Sequence, residues 1–495
     1  MNSSIIRYIL GSVLKIEALC MLIPCITSAV YKEEEGFVYL GVATFALILG
    51  ILLTIKKPKN TVFYLKEGCV ATALSWILLS LVGCLPIWLT REIPHFTDAM
   101  FEMVSGFTTT GASILGDVEA LSHCSLIWRS FSHWLGGMGV LVFLMAVIPL
   151  AGGSNINLMK AESPGPSVGK LVPKMKYTAR ILYGIYMFLT VLQFIFLIAG
   201  KMPVFDAICT SAGTAGTGGF GIKNDSMASY SPYIQWVTTI FMMLFAINFN
   251  FYYFLLFRQF KKAFSMEEVK RFLFIIIATI LIIFINIYNS FSNAFEALTH
   301  ASFTVASISS STGFATTDFG LWPATSQFII IILMFVGACA GSTGGGIKLS
   351  RILVLIKTQI KELNSYIHPK SIKKIKMDDK PIEHDVVRST NVYLVTFISI
   401  LVTSVFIISF ENKDFTTSFT ASLATMNNIG PGLSGVGPSS NFSGFSVLSK
   451  WTFIFNMLAG RLELFPILIL FHPTIWKDMM AQKRSRRRLK KLSKM

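Results

Sequence analysis

Apolar runs about 20 residues long, the length a helix needs to cross roughly 30 Å of hydrocarbon, recur along almost the whole of this sequence. Few folds are open to such a chain, because a backbone in lipid must satisfy its own N–H and C=O groups. The composition agrees: 53% of the residues are hydrophobic and 14% charged, which excludes a soluble globular domain. The expected fold class is therefore an all-α membrane protein. The longest polar interval, around "HPKSIKKIKMDDKPIEHD", is short. The first run, "IIRYILGSVLKIEALCMLIPCITSAV", carries Arg7, Lys15 and Glu17 and ends without a small-residue cleavage site, so it reads as a retained span. Of seven cysteines only Cys124 is expected in an outer loop, and neither a disulfide framework nor metal-ligand spacing follows.

The charge is unevenly placed. Of 43 Lys and Arg, 33 lie in the intervals 56–66, 160–180, 258–271, 348–388 and 477–494, which alternate with poorly charged ones. This is the positive-inside pattern, and it predicts that both termini face the cytoplasm. The net charge of +17 thus belongs to an inner membrane face, with a basic tail "KRSRRRLKKLSK", and not to a nucleic-acid surface.

The outward intervals repeat. "FTDAMFEMVSGFTTTGAS", "VFDAICTSAGTAGTGGFG", "LTHASFTVASISSSTGFAT" and "FTTSFTASLATMNNIGPGLS" each place a small residue twelve positions before a glycine: Ala99 and Gly111, Ala207 and Gly219, Ala301 and Gly313, Ser418 and Gly430. Each copy lies between two apolar spans. The expected organisation is four helix, re-entrant pore loop, helix (M1-P-M2) repeats in pseudo-fourfold arrangement, plus two extra N-terminal transmembrane helices. The predicted units are 1–60 (the extra helices), 61–160, 161–262, 263–380 and 381–495, ten spans with four short helices between them. A helix from Asp98 to Phe107 is about 15 Å long, so it enters the membrane without crossing it. Asp98, Asp206 and Thr417 suit the starts of such helices, and His300 takes the equivalent slot in the third copy. The chain that follows must climb back out, and non-helical backbone at that depth has to be buried in protein or line a wet path.

Four such stretches around one axis offer rings of carbonyl oxygens that replace the water of a dehydrated cation. Glycine permits the required backbone and keeps the path open. Uncharged oxygens without an acidic ring favour a monovalent ion, and potassium fits best. The plainer alternative is four external loops with turn glycines; their common spacing argues against it.

The third repeat's second span is interrupted by "GACAGSTGGGIK", with Gly337, Gly341, Gly344, Gly345 and Gly346, a composition that destabilises a helix by roughly 1 kcal/mol per glycine. A flexible plug below the loops is expected there, a plain cytoplasmic connector being the alternative. Arg461 lies near the middle of the last span, and a charge at that depth should face the bundle interior. Glu463, two positions on, is a poor local partner and the only plausible mid-membrane carboxylate. "GSTGGGIKL" has isoleucine where a phosphate-binding loop needs lysine, and "GTGGFG" follows no strand, so no nucleotide site is expected. His133 and Trp134 read as packing or interfacial residues.

These loops, with "RSFSHWLGGMG", "GACAGSTGGGIKLSRILVLIK" and "NMLAGRLELFPILILF", resemble the TrkH/TrkG family of potassium-uptake proteins over nearly the whole chain. The resemblance implies filter glycines Gly111, Gly219, Gly313 and Gly430, with Thr109, Thr110, Thr217, Gly218, Ser311, Thr312, Asn428 and Ile429 presenting carbonyls. "TGGFG" offers both Gly218 and Gly219 as the second glycine, and the spacing selects Gly219. The expected gate comprises Gly341, Gly344, Gly345, Gly346 and Lys348 of the plug, which the resemblance also implies, with Arg461 under the filter as an electrostatic barrier; a structural pairing of Arg461 with a carboxylate or carbonyl elsewhere is the alternative. Also implied are a homodimer, a cytoplasmic TrkA-type nucleotide-binding subunit, and location in a bacterial cytoplasmic membrane. K+ is the expected cargo, with Rb+ as a substitute, and no cofactor is expected in this chain. The alternative function is a symporter coupling K+ or Na+ to a H+ or Na+ gradient; an enzyme is not expected, since no His, Cys or carboxylate set converges.

Overall fold

The computed structural model describes residues 2–58, 64–147, 175–369, 374–475 and 477. The basic tail beyond 477, most of the inner interval 160–180 and the expected boundary at 160 lie outside the described residues.

The extra N-terminal unit is α1 (Ser3–Cys20), α2 (Leu22–Tyr31) and α3 (Glu35–Thr54). Helices α1 and α3 cross at a glycine pair: a Cβ added to either Gly11 or Gly50 would stand 2.8 Å from the other's carbonyl oxygen. Small residues let helices approach closely where lipid supplies no hydrophobic drive.

The first repeat comprises α4 (Leu65–Gly83), α5 (Leu85–Leu89), the short α6 (Phe96–Phe107) and α7 (His123–Val147). The second has α8 (Met175–Ala199), α9 (Val204–Gly216), α10 (Pro232–Ala246), α11 (Phe249–Leu256) and α12 (Phe260–Ser265). The third has α13 (Glu267–Ile287), α14 (Ala294–Ser309), α15 (Ala324–Phe335) and α16 (Leu349–Ile367); the fourth has α17 (His384–Ser409), α18 (Phe415–Met426), α19 (Val447–Arg461) and α20 (Phe465–Leu470). A two-stranded ribbon, β1 (Lys376–Met377) with β2 (Lys380–Pro381), joins the third repeat to the fourth. The chain is thus an all-α multi-pass membrane protein of four helix, short helix, helix repeats.

Among the described residues six helical segments are long and apolar enough to span: Ser3–Tyr31, Glu35–Thr54, Leu65–Leu89, Arg180–Ala199, Glu267–Ser290 and His384–Ser409. Four of these are the first spans of the repeats. The second spans of repeats two to four are broken, whereas the sequence pointed only to the third. Helices α10 and α11 meet at 90°; α15 stops at Phe335; α19 stops at Arg461, before Glu463 and Leu464 with φ of 55° and 69°. The short helices α6, α9, α14 and α18 are buried over most of their length by these spans.

Candidate functional site

The four short helices end alike. The N–H of the residue before each glycine bonds the carbonyl five residues back: Thr110 to Ser105 (2.9 Å), Gly218 to Gly213 (2.9 Å), Thr312 to Ser307 (2.8 Å) and Ile429 to Ala424 (3.0 Å). Between helix and bond sits a left-handed residue, Thr109, Thr217, Ser311 or Asn428, with φ of 54°, 54°, 58° and 54°. This is a Schellman cap, which ordinarily uses glycine. Asparagine tolerates the conformation, but a β-branched threonine is strained by an order of 1–3 kcal/mol. Four such turns, two of them strained at threonine, need surrounding structure to hold them.

That structure is a ring. The glycines that follow also have positive φ: Gly111 79°, Gly219 76°, Gly313 85° and Gly430 92°. A Cβ on Gly111 would lie 2.0 Å from the Gly218 oxygen, one on Gly219 1.9 Å from Thr312 oxygen, one on Gly313 2.1 Å from Ile429 oxygen, and one on Gly430 2.7 Å from Thr110 oxygen. Loop one therefore abuts loop two, two abuts three, three abuts four, and four returns to one. Each contact uses the equivalent carbonyl, the one just before the next glycine. Among the described residues no N–H or O–H donor is bonded to the carbonyl of Thr109, Thr110, Gly111, Thr217, Gly218, Gly219, Ser311, Thr312, Gly313, Asn428, Ile429 or Gly430. Buried backbone carbonyls are nearly always paired, so a dozen without donors mark a place built for another partner.

The ring is braced first by Glu102 and Arg129, which the sequence did not single out. Glu102 on α6 pairs with Arg129 on α7 at 2.7 Å, both almost fully buried. The same carboxylate accepts from the Ser113 hydroxyl (3.1 Å) and the Ile114 N–H (2.9 Å), and the Arg129 guanidinium stacks over Phe220. The pair so links loops one and two. His133, also fully buried, bridges the same loops: Nδ1 contacts the Gly106 carbonyl at 2.8 Å, and Nε2 accepts the Phe220 N–H at 3.2 Å. That fixes the tautomer with the proton on Nδ1, and makes His133 a bracket, in keeping with its packing role. Asn428 Nδ2 donates to Thr110 Oγ1 (2.9 Å) and the Met457 carbonyl (2.9 Å), joining loop four to loop one.

The glycine run after α15 forms no helix. It lies against the ends of the third and fourth short helices: added Cβ atoms at Gly344 and Gly345 would sit 2.9 Å from Ser310 oxygen and 2.6 Å from Asn427 oxygen. It is held at many points. Cys339 N–H bonds Ala246 oxygen (3.1 Å) and Phe249 N–H bonds Gly341 oxygen (3.1 Å), so the run satisfies the backbone freed where α10 breaks from α11. Gly345 N–H donates to Ser311 Oγ at 2.5 Å, and the Lys348 ammonium donates to the Gly344 carbonyl. Gly346 is left-handed, φ 74°, as is Gly341, φ 69°. Arg461 donates to the Thr343 carbonyl (2.9 Å) and to the Gly136 carbonyl on α7 (2.6 Å), tying the run to the first and fourth repeats. Glu268, at the start of α13, accepts both Ala340 N–H (2.7 Å) and Ser350 N–H (3.0 Å), clamping the two ends of the run together.

Three local expectations are corrected. The fourth short helix is capped by Asp414, whose carboxylate accepts the Thr417 N–H at 2.9 Å; Thr417 instead donates its hydroxyl to Asp414 and accepts the Gly435 N–H. His300 lies inside α14, which starts at Ala294 with Asn293 as its cap, and His300 contacts Thr316 Oγ1. Glu463 is not the only carboxylate at depth. It pairs with Arg351, which also lies over Tyr393, while Glu17, Glu102 and Glu268 are buried as well.

A family model described as "TrkH: Cation transport protein" matches residues 36–483. The chain is similar to the Trk system potassium uptake protein TrkH of Salmonella typhimurium, 34% identical over 92% of this chain and 96% of the relative. It is 31% identical to the Trk system potassium uptake protein TrkG of Escherichia coli, over 97% of this chain and 100% of that one. The crystal structure of the potassium transporter TrkH from Vibrio parahaemolyticus superposes with a TM-score of 0.86 at 30% identity, covering 96% of this chain and 100% of that chain.

Proposed function

Because this chain belongs to the TrkH family of cation transport proteins, we propose that it takes up potassium across a bacterial cytoplasmic membrane through a pore on the axis of its four loops. The observation that carries this reading is the closed cycle of loop contacts with a dozen carbonyls that meet no donor among the described residues. Those oxygens replace the hydration shell of K+, or of Rb+, without fixed charge, and the C-terminal ends of α6, α9, α14 and α18 add partial negative potential. Gly111, where a serine would narrow the ring, favours potassium over sodium.

In this reading the run from Gly337 to Lys348 closes the path below the filter. Gly341, Gly344, Gly345 and Gly346 let it fold against the filter base, Lys348 staples it, and Arg461 places a positive charge beside it as a barrier. Its many bonds make it an ordered gate that opens by exchanging those bonds. The family resemblance supports a homodimer and a TrkA-type nucleotide-binding subunit docked on the basic inner face, with both termini cytoplasmic.

A symporter coupling K+ or Na+ to a H+ or Na+ gradient is the competing reading. Glu102 and Glu268 are engaged by Arg129 and by backbone amides, which leaves them poorly placed to carry a coupling ion. Purified protein in liposomes under bi-ionic K+/Na+ conditions is expected to pass Rb+ and K+ ahead of Na+ with no proton or sodium gradient imposed. Strict dependence on either gradient removes the pore reading.

A further inference from the structure

Between the extra N-terminal helices and the first repeat lies a cavity of about 60 Å3, walled by Val13, Glu17, Trp76, Phe107 and Gly136 among others. It has room for a few water molecules. Among the described residues Glu17 is its only charged wall residue, and it is 1% exposed. Among the described residues neither carboxyl oxygen has a hydrogen-bond partner. Other buried carboxylates here are engaged, Glu102 by Arg129 and Glu268 by two amides, so Glu17 stands apart. The titratable neighbours are the thiols of Cys20 on α1 and Cys84 after α4. No base or counter-charge is among the wall residues that α4, α6 and α7 contribute, and the one hydroxyl there, Ser75, donates to the Ala71 carbonyl.

An isolated carboxylate in such surroundings is costly, and the group must be neutralised. Apolar walls supply no oxygen shell for a metal ion; a proton needs only one oxygen. We propose that Glu17 is a proton-binding site inside the membrane, exchanging its proton with water in this cavity, and that its charge state acts on Arg461. The link is geometric. Arg461 donates to the carbonyl of Gly136 at 2.6 Å and lies 5.7 Å from the ring of Trp76, so two walls of the cavity are also its contacts. When the carboxyl group releases its proton to water, a negative charge appears in the cavity whose walls Gly136 and Trp76 also contact the guanidinium, and at low dielectric that charge acts through this shared wall. The attraction draws Arg461 toward Trp76 and away from the Thr343 carbonyl of the glycine run.

The test uses the full-length protein in liposomes. A pH step followed by infrared difference spectroscopy should show a protonated-carboxyl band that shifts in D2O, is lost in Glu17→Gln and is displaced, not lost, in Glu17→Asp. Rb+ flux should show a titration step in the wild type that Glu17→Gln removes, leaving flux at its acid-limb value. An unchanged band in Glu17→Gln overturns the site. A lost band with an unchanged flux profile overturns the action on Arg461. Only the flux arm rests on the potassium-uptake reading; the infrared arm is independent of it. Thermal unfolding matched to wild type shows that the variants are folded, and Glu17→Asp serves for the band if Glu17→Gln is not.

Discussion

At Gly111 two independent constraints meet in one residue: φ of 79°, and a neighbouring carbonyl 2.0 Å from where a Cβ would stand. Serine here must displace the Gly218 carbonyl, so Gly111→Ser is expected to lower the preference for K+ over Na+. Overpacking on the order of 1–3 kcal/mol corresponds to about 5- to 150-fold in that ratio. Gly116, whose added Cβ meets nothing closer than 4.0 Å, provides the control, and Gly116→Ser should leave bi-ionic reversal potentials unchanged. The four glycines that meet in the ring were legible in the sequence because their spacing repeats four times. Their support was not. Thr109 and Thr217 occupy a conformation that local propensity argues against, and only tertiary context imposes it. Glu102 and Arg129 are 27 positions apart, and no periodicity announces that they meet.

The breaks in the second spans decide how much of the element scale can be read in advance. Glycine density announced the third break, whereas the bend between α10 and α11 lies at "AINFN", where no glycine or proline stands and Asn248 caps α11 by accepting the Asn250 N–H at 2.9 Å. That bend is stable because the glycine run supplies its missing backbone partners, a contact about 90 residues away in sequence. Releasing the run should therefore raise flux. Glu268→Ala removes the acceptor for Ala340 and Ser350, and shortening "GSTGGGIK" removes the run itself; both are expected to increase Rb+ flux without a change in ion preference. An equal loss of flux and thermal stability would instead show that the run only holds the fold. At the fourth short helix, the hydroxyl and N–H of Thr417 bond Asp414 and hold its carboxyl below the usual carboxylate range. A carboxyl depressed in the folded state stabilises at neutral pH, and that contribution fades as pH falls through its folded pKa. Asp414→Ala should cost about 1 kcal/mol at neutral pH. The difference from wild type should shrink in acid, as read by thermal unfolding across pH.

For the molecule as a whole, the extra N-terminal unit is fastened to the pore repeats at both depths. At the start of α7 Glu33 accepts the N–H groups of His123 (2.8 Å) and Cys124 (2.9 Å), so a residue of the α2–α3 turn caps α7. Deeper in, Tyr39 reaches Ser125 at 2.9 Å, and the Glu17 cavity opens against α7 beside Arg461. A unit joined in this way is expected to move with the first repeat and not independently of it. Energetics then separates a pore from a coupled carrier. One elementary charge crossing 100 mV gains about 2.3 kcal/mol, and 1.36 kcal/mol is tenfold, so an uncoupled pore accumulates Rb+ about 50-fold at −100 mV. A carrier that moves one proton with each Rb+ transfers two charges, and without a pH gradient its limit is about 2,500-fold at the same potential. Proteoliposomes clamped at −100 mV with equal pH on both sides should therefore reach a plateau near the lower value, and should reach it again when the outer pH is made one unit more acid. A plateau that climbs tenfold with that pH step would show that a proton travels with the ion, and the four-loop pore would lose its standing as an uncoupled path.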